Sequence, residues 1–455
     1  MTLLTSDEAA QPLRDALGTR VLFAADAGYD AARTAWNLAV DQRPFAVALP
    51  ETEAEVAAVV AAATASGLRI APQSTGHAAG TLRGADLSGT VIVSLRGLRG
   101  VDVDPAARTA TVRGSTAWHD LLPVAAEHGL TGLHGSAADI SVIGYTLTGG
   151  ISFYGRRHGL ATNTVRAARV VTADGSILTA SATENPDLFW ALRGGAGAFG
   201  VVVELEIDLL PIADVFAGML LWDGARAVEV AQAWAQWTAS APESATTALR
   251  IMHFPPIPEL PPFLSGRSVV IVDGAILDTD AAAAAILQPL RALAPELDTF
   301  ARMPAPGLVD VHMDPPEPAG AVQDHAMLAA LDAPAVDAFV SAAFTARPMV
   351  SEIRHLGGAL GRRPADAGAV GAVIGEHLLS AVQLVPVPDT LPAATAAVRG
   401  VVGALSEWHG PGLALTFVDD DRDPAGGFGE SAARLAELKL RYDPEDVFLA
   451  AHRVR

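Results

Sequence analysis

The alternation of apolar and polar positions changes character along the chain, and each change marks a different kind of building block. Residues 51–67, ETEAEVAAVVAAATASG, repeat apolar side chains at helical spacing behind an acidic first turn and ahead of a glycine stop, which predicts an amphipathic helix. The apolar run 67–72 then predicts a strand that feeds a tight loop at 73–80, QSTGHAAG. TVIVSLRGL reads as another strand, and VDVDPAARTATVRGS alternates around a turn at 104–108, the pattern of a hairpin. A helix over about 117–129 closes this unit. Residues 135–159 are glycine-rich and predict a long loop. After it, ARVVTADGSILTAS predicts two strands about a turn at 173–175, ENPDLFWALRGG a helix, and GAFGVVVELEIDLLPI a long strand ending at Pro211.

Beyond Pro211 the texture shifts. Residues 216–400 alternate strand candidates such as RSVVIVDGAIL with alanine-rich helices, DAAAAAILQPLRAL and PAVDAFVSAAF, as expected of a sheet covered by helices. The proline-rich stretch 255–262 reads as a loop, a lid or a plain linker. In SEIRHLGGAL, strand alternation sets Glu352 and Arg354 on one face, Ile353 and His355 on the other. The last forty residues hold a helix, GESAARLAELKLRYDP, and a tail able to return to the first domain. The expected fold is therefore α+β with two domains. A discontinuous first domain takes residues 1–210 plus the C-terminal segment 413–455, and an inserted second domain takes 211–412.

Composition narrows the partners. A chain of 455 residues is too long for one ordinary core, and 51 acidic against 31 basic residues give a net charge of −20. Such a surface repels phosphate backbones and anionic lipid, so neither nucleic acid nor membrane is an expected partner. The absence of cysteine excludes disulfides, thiolate metal sites and a cysteine nucleophile. The N-terminal MTLLTSDEAAQPLRDAL has no apolar core of signal-peptide length, and no later run approaches the roughly 20 apolar residues of a membrane span. A cytoplasmic protein without a metal centre is the expectation.

Candidate chemistry begins at His77. Gly76 and Gly80 let the backbone approach a ligand closely, and successive loop N–H groups can form an anion-binding concavity. Taken alone, a histidine beside glycine reads as a turn residue. Five segments in order, QSTGHAAG, GSAADISVIGYTLTGG, RRHGLATNTV, DLFWALRGGAGAFGVV and the terminal YDPEDVF, change that reading. Together they resemble the berberine-bridge-enzyme-like FAD-linked oxidases of the vanillyl-alcohol oxidase superfamily, over nearly the whole chain.

The resemblance implies FAD as cofactor, linked covalently through a ring nitrogen of His77. The family's arginine before this loop is Gln73 here, and one of its glycines is Thr75. Ser74, Thr75, Gly76 and Gly80 complete the first cofactor loop, and Gly135, Ser136, Asp139, Ile140, Gly144 and Gly149 form the second. Asn163, Gly200 and Val201 match further cofactor positions, the last two beside the adenine half. Many relatives add a cysteinyl link from a position that is Ala137 here, so one histidyl bond is the most this chain can make. Ile140 matches the position that gates oxygen, usually a smaller valine.

For the reaction, the resemblance implies hydride transfer from a small or medium organic alcohol, amine or sugar-like substrate to the flavin, with O2 reoxidising it to give hydrogen peroxide. Glu352 is a candidate base or polar anchor, its alternative being a carboxylate paired with a nearby arginine. Tyr145 could aim its hydroxyl at the substrate or serve the structure alone. His312, in VHMDPP, is a further candidate, although a histidine before Asp-Pro commonly serves a turn. Arg156, Arg157 and His158 read as solvent or ion-pair residues, and Phe189 and Trp190 as core. The Tyr-x-Asn motif of many relatives falls on LALTFVDDD, expected as a strand, where Ala414 and Thr416 stand instead; the relatives' terminal Asn is Ala451, beside His452. That departure keeps open a tailoring oxygenase, cyclase or dehydrogenase of secondary metabolism, and a flavin-binding protein with little redox turnover.

Overall fold

The structure, a computed structural model, describes residues 6–258, 260–261, 263–315 and 317–454. Two positions of the proline-rich stretch, Glu259 and Pro262, and the first five residues of the N-terminal segment lie outside the described residues.

Three sheets organise the chain. The first is mixed, with β1 (Val21–Phe23), β2 (Ala46–Ala48), β3 (Arg69–Gln73) and β4 (Thr90–Ser94) in the order β1-β2-β4-β3. The second is antiparallel, with β5 (Val101–Asp104), β6 (Thr109–Arg113), β7 (Val165–Val171), β8 (Ile177–Ser181) and β9 (Val201–Asp208) in the order β5-β6-β9-β7-β8. The helix Glu53–Ala65 joins them. Thr52 caps it by accepting from the Glu55 N–H, and its stripe Val56, Val59, Val60 and Ala63 is buried at i, i+3, i+4, i+7. That stripe packs between Ile70, Val91 and Val93 of the first sheet and Val171, Val201 and Val203 of the second.

The third sheet is the larger. Its strands are β10 (Asp214–Asp223), β11 (Ala245–His253), β12 (Ser268–Ile276), β13 (Leu297–Asp298), β14 (Ala301–Pro304), β15 (Ala321–Leu328), β16 (Val350–His355) and β17 (His377–Leu384). Their order is β13-β10-β12-β11-β16-β17-β15, with β14 also on β10. One face is covered by the helices Ala227–Thr238, Asp280–Arg291, Ala333–Ala346 and Leu391–Ala404, into which Leu249, Ile251, Ile353, Leu379 and Ala381 point. Alternation then turns Arg250, Met252, Glu352, Arg354, Ser380 and Val382 to the other face.

The tail closes on the first sheet. The Ile70 N–H donates to the Val447 carbonyl at 2.8 Å and the Leu449 N–H to the Ile70 carbonyl at 2.7 Å. Asp443 holds the turn of YDPEDVF, accepting from the Val447 and Phe448 N–H groups and from buried Lys439. Among the described residues no helix is long and apolar enough to cross a membrane.

Three expectations need correction. The glycine-rich stretch 135–159 is not all loop, since Val142, Ile143, Tyr145, Thr146 and Leu147 are buried in a short helix, Val142–Leu147. LALTFVDDD forms a 3₁₀ turn, Leu415–Phe417, rather than a strand; the Phe417 carbonyl is satisfied by the Gln323 side chain at 3.0 Å instead of by a ladder. Arg156 is a buried clamp, not a surface residue. It donates to His355 Nε2 at 2.5 Å, to the Leu356 carbonyl and to the Ala241 carbonyl at 3.1 Å, tying the first domain to the third sheet.

Candidate active site

A large cavity separates the loops of the first domain from the open face of the third sheet. Gln73, Ser74, Thr75, Gly76 and His77 line one wall, continued by Gly135, Ser136, Ile140, Gly144, Tyr145 and Gly200. Arg250, His312, Glu352 and Arg354 line the opposite wall, and Thr416, Phe417, Asp419, Ala451 and His452 come from the C-terminal part.

His77 is held on three sides. Its ring stacks on Trp36, with centroids 4.2 Å apart and planes 19° from parallel. Thr75 Oγ1 lies 2.8 Å from Nδ1, and Asp139 Oδ1 lies 3.4 Å from Nε2, close enough for charge attraction but without hydrogen-bond alignment. The Trp36 indole N–H donates to the other oxygen of Asp139. Gly76 makes the loop possible: its φ is +89°, and a Cβ there would sit 2.9 Å from the Ala35 Cβ and 3.0 Å from the Trp36 nitrogen.

Other residues of the resemblance stand behind this wall. Val201 is buried between the sheets, and the Gly149 carbonyl accepts from the Thr162 N–H at 2.9 Å. The Asn163 side chain donates to the Gly371 carbonyl at 2.9 Å beside a separate, shallow pocket. Gly80 backs against Asp419, where an added Cβ would fall 1.8 Å from Oδ1 and 2.5 Å from the main-chain oxygen. These four support the loops and do not line the cavity. Gly80→Ala is therefore expected to lower stability by roughly 1–3 kcal/mol, read as a lower thermal midpoint.

The opposite wall carries a connected set of buried charges. His312 Nδ1 donates to Asp273 Oδ2 at 2.8 Å, and its Nε2 lies 3.0 Å from Glu352 Oε2. Arg354 bonds the other oxygen of Glu352, and Arg250 bonds Asp273. Burial would raise the Glu352 carboxyl, but Arg354 and His312 outweigh it and hold it well below the usual carboxylate range. Burial and Arg250 oppose charge on His312, yet Asp273 and Asp314 raise it to about 9. Glu352 is thus both cavity-lining and paired with arginine.

Tyr145 lines the cavity, but its ring packs edge-on against Trp118 and its hydroxyl is buried without a partner among the described residues. Burial pushes the phenol up, so at neutral pH Tyr145 can donate a hydrogen bond but is no base. The loss of Tyr-x-Asn is real in space as well, with Thr416 lining the cavity and Ala414 buried behind it. Sequence reasoning missed Trp36, Arg250, Asp273 and Asp419. A signal existed for two of them: ALRIMH and VIVDGAI each set one charge in an otherwise apolar strand, where burial requires a partner. Asp419 is raised to about 6 by burial, against the pull of Arg83.

Residues 44–181 match the family model described as FAD binding domain. The chain binds FAD. It has the vanillyl-alcohol-oxidase fold. It is 33% identical over 218 residues to (R)-6-hydroxynicotine oxidase of Paenarthrobacter nicotinovorans, covering 48% of this chain and 47% of that protein. The flavoprotein thus spans about half the length of that curated relative in the match. Whole-chain likeness appears in structure, at a TM-score of 0.82 and 20% identity to wild-type BBE-like 1 of Physcomitrella patens, covering 99% of both chains. Glucooligosaccharide oxidase from Acremonium strictum, described with 6-S-cysteinyl, 8α-N1-histidyl FAD, gives a TM-score of 0.82 at 22% identity over 98% of this chain and 99% of that one.

The wall of the flavoprotein fits this cofactor on its own chemistry. Gly144 presents open backbone, with nothing within 4 Å of an added Cβ, and at Gly197 the nearest atom is 3.6 Å away. The buried Gln73 Nε2 has no hydrogen-bond partner among the described residues, as expected of an atom awaiting a polar ligand.

Proposed function

We propose that the protein is an FAD-dependent oxidoreductase that oxidises a small or medium organic alcohol, amine or sugar-like substrate, with the flavin linked covalently to His77. The observation that carries this reading is the opposition of two walls across one cavity: the His77 loop on one side, the Glu352–His312–Asp273 set on the other. Bound FAD supplies the hydride acceptor.

The chain's own groups supply the rest. Glu352, ionised and aimed into the cavity, accepts a hydrogen bond from the donor's O–H or N–H and orients its C–H bond. His312 Nε2, 3.0 Å behind it, takes up the proton once its ring is neutral, while Asp273 fixes the other ring nitrogen. Dioxygen is the proposed final acceptor, yielding hydrogen peroxide. Ile140, partly buried on the cavity wall, is bulkier than the residue usual at that position and supports slow reoxidation.

The absence of a tyrosine at 414 or 416 favours a second reading, a dehydrogenase or tailoring enzyme that passes electrons elsewhere or retains them in cyclisation. Anaerobic mixing with a donor panel separates these. Flavin bleaching followed by one peroxide per donor on admitting air supports the oxidase; bleaching that air does not reverse at a useful rate supports the second reading. A flavin that no alcohol, amine or sugar bleaches overturns both.

A further inference from the structure

The surroundings of His77 do more than hold a ring in place. A carboxylate beside Nε2 attracts an N–H and repels a lone pair, so Asp139 favours the tautomer protonated on Nε2. Nδ1 then carries the lone pair, and the Thr75 hydroxyl, able to donate or accept, donates to it across 2.8 Å. Asp139 is itself pinned by the Trp36 indole N–H, and the same indole stacks on the imidazole, so carboxylate and ring are oriented by one side chain. Burial would raise the Asp139 carboxyl, but His77 and Trp36 outweigh it and keep it below its ordinary range, hence ionised. Among the described residues His77 Nε2 makes no other hydrogen bond, so Asp139 has no competitor for its proton.

We propose that Asp139 and Thr75 are positioning residues for covalent attachment of the flavin: Asp139 holds His77 with its proton on Nε2, and Thr75 holds Nδ1 in place until the 8α carbon displaces the hydroxyl from its lone pair. This rests on the histidyl linkage proposed above. Attachment forms one Nδ1–C bond and breaks one C–H bond of the 8α methyl. Two electrons enter the flavin and pass to dioxygen, which leaves as hydrogen peroxide with two protons. One proton comes from the methyl group. The other comes from Nε2, because bonding at Nδ1 makes the ring a cation until Nε2 gives up its proton. Asp139 stabilises that cation and faces the departing proton.

The test incubates wild type, Asp139→Asn, Asp139→Glu, Thr75→Val and Thr75→Ser with FAD in air. Samples taken over time are unfolded, and flavin fluorescence on a denaturing gel is compared with flavin released on precipitation. The Asp139→Asn variant should take up FAD but link it more slowly by on the order of ten- to hundredfold, with part of the rate restored in Asp139→Glu. Thr75→Val should link more slowly than Thr75→Ser, and NMR of the wild-type flavinyl peptide should find flavin on Nδ1. Linking of Asp139→Asn at the wild-type rate, its failure to take up FAD at all, or flavin on Nε2 in the wild-type peptide would each overturn the proposal. The wild-type lane alone reads the linkage, and its darkness would remove both readings.

Discussion

Replacing His312 with glutamine is expected to lower kcat at pH 9 by on the order of 10²–10⁴-fold and to flatten the pH profile of the reaction. The groups facing this ring are Asp273 from β12, Glu352 and Arg354 from β16, Arg250 from β11 and Asp314 from its own loop. Burial and Arg250 disfavour its charge, but the carboxylates prevail and raise it to about 9. In the wild type the fraction of neutral, proton-accepting ring therefore grows about tenfold per pH unit below that value and levels off above it. Glu352→Gln acts differently. It removes a carboxylate from beside Nε2, so the cation is less favoured and the rising limb moves to lower pH, while kcat falls because the donor loses its anchor. Steady-state rates from pH 6 to 10 check both variants. A His312→Gln protein with the wild-type profile would assign proton uptake to another group.

Stability should collapse on mild acidification. Burial holds His134, His377 and His452 at about 4 and His325 at about 3, with His355 lower still, all below the 6.5 of an unfolded chain. Each stays neutral in the fold while the unfolded chain takes up a proton, so the contribution of these five is complete above about 6.5 and is lost as pH falls toward 4. Each such group contributes a slope of about 1.4 kcal/mol per pH unit. Two or three of the five acting together rival the entire stability of an ordinary domain, roughly 5–15 kcal/mol. Asp419 works the other way. Its raised carboxyl, about 6, favours the folded state as pH falls through that value, but it is one group against five. Thermal midpoints between pH 8 and 4.5 check this, with His377→Gln expected to flatten the slope by one proton. Unchanged midpoints down to pH 4.5 would contradict it.

Much of this architecture is legible in the sequence because local signals agree there with the tertiary outcome. The helix Glu53–Ala65 combines cap, acidic first turn and apolar stripe, and the β5–β6 hairpin has strict alternation around its turn. Legibility fails where side chains from distant strands decide. His312 sits before Asp-Pro and looks like turn chemistry, yet its role is set by Asp273, 39 residues earlier, and Glu352, 40 residues later. Gly80 reads in sequence as a point of ligand approach because glycine permits close contact; the approach is real, but the atom approached is Asp419. The LALTFVDDD segment has the composition of a strand. With Gln323 satisfying its carbonyl from the side, it needs no ladder.

The central claim, that the His77 loop holds a covalent flavin opposite the Glu352–His312 wall, meets its most direct test on a denaturing gel viewed by flavin fluorescence, with His77→Ala beside the wild type. The account predicts a fluorescent wild-type band and a dark variant that still releases yellow FAD on precipitation. A dark wild-type band would contradict the linkage, and a protein that takes up no FAD would contradict the site itself.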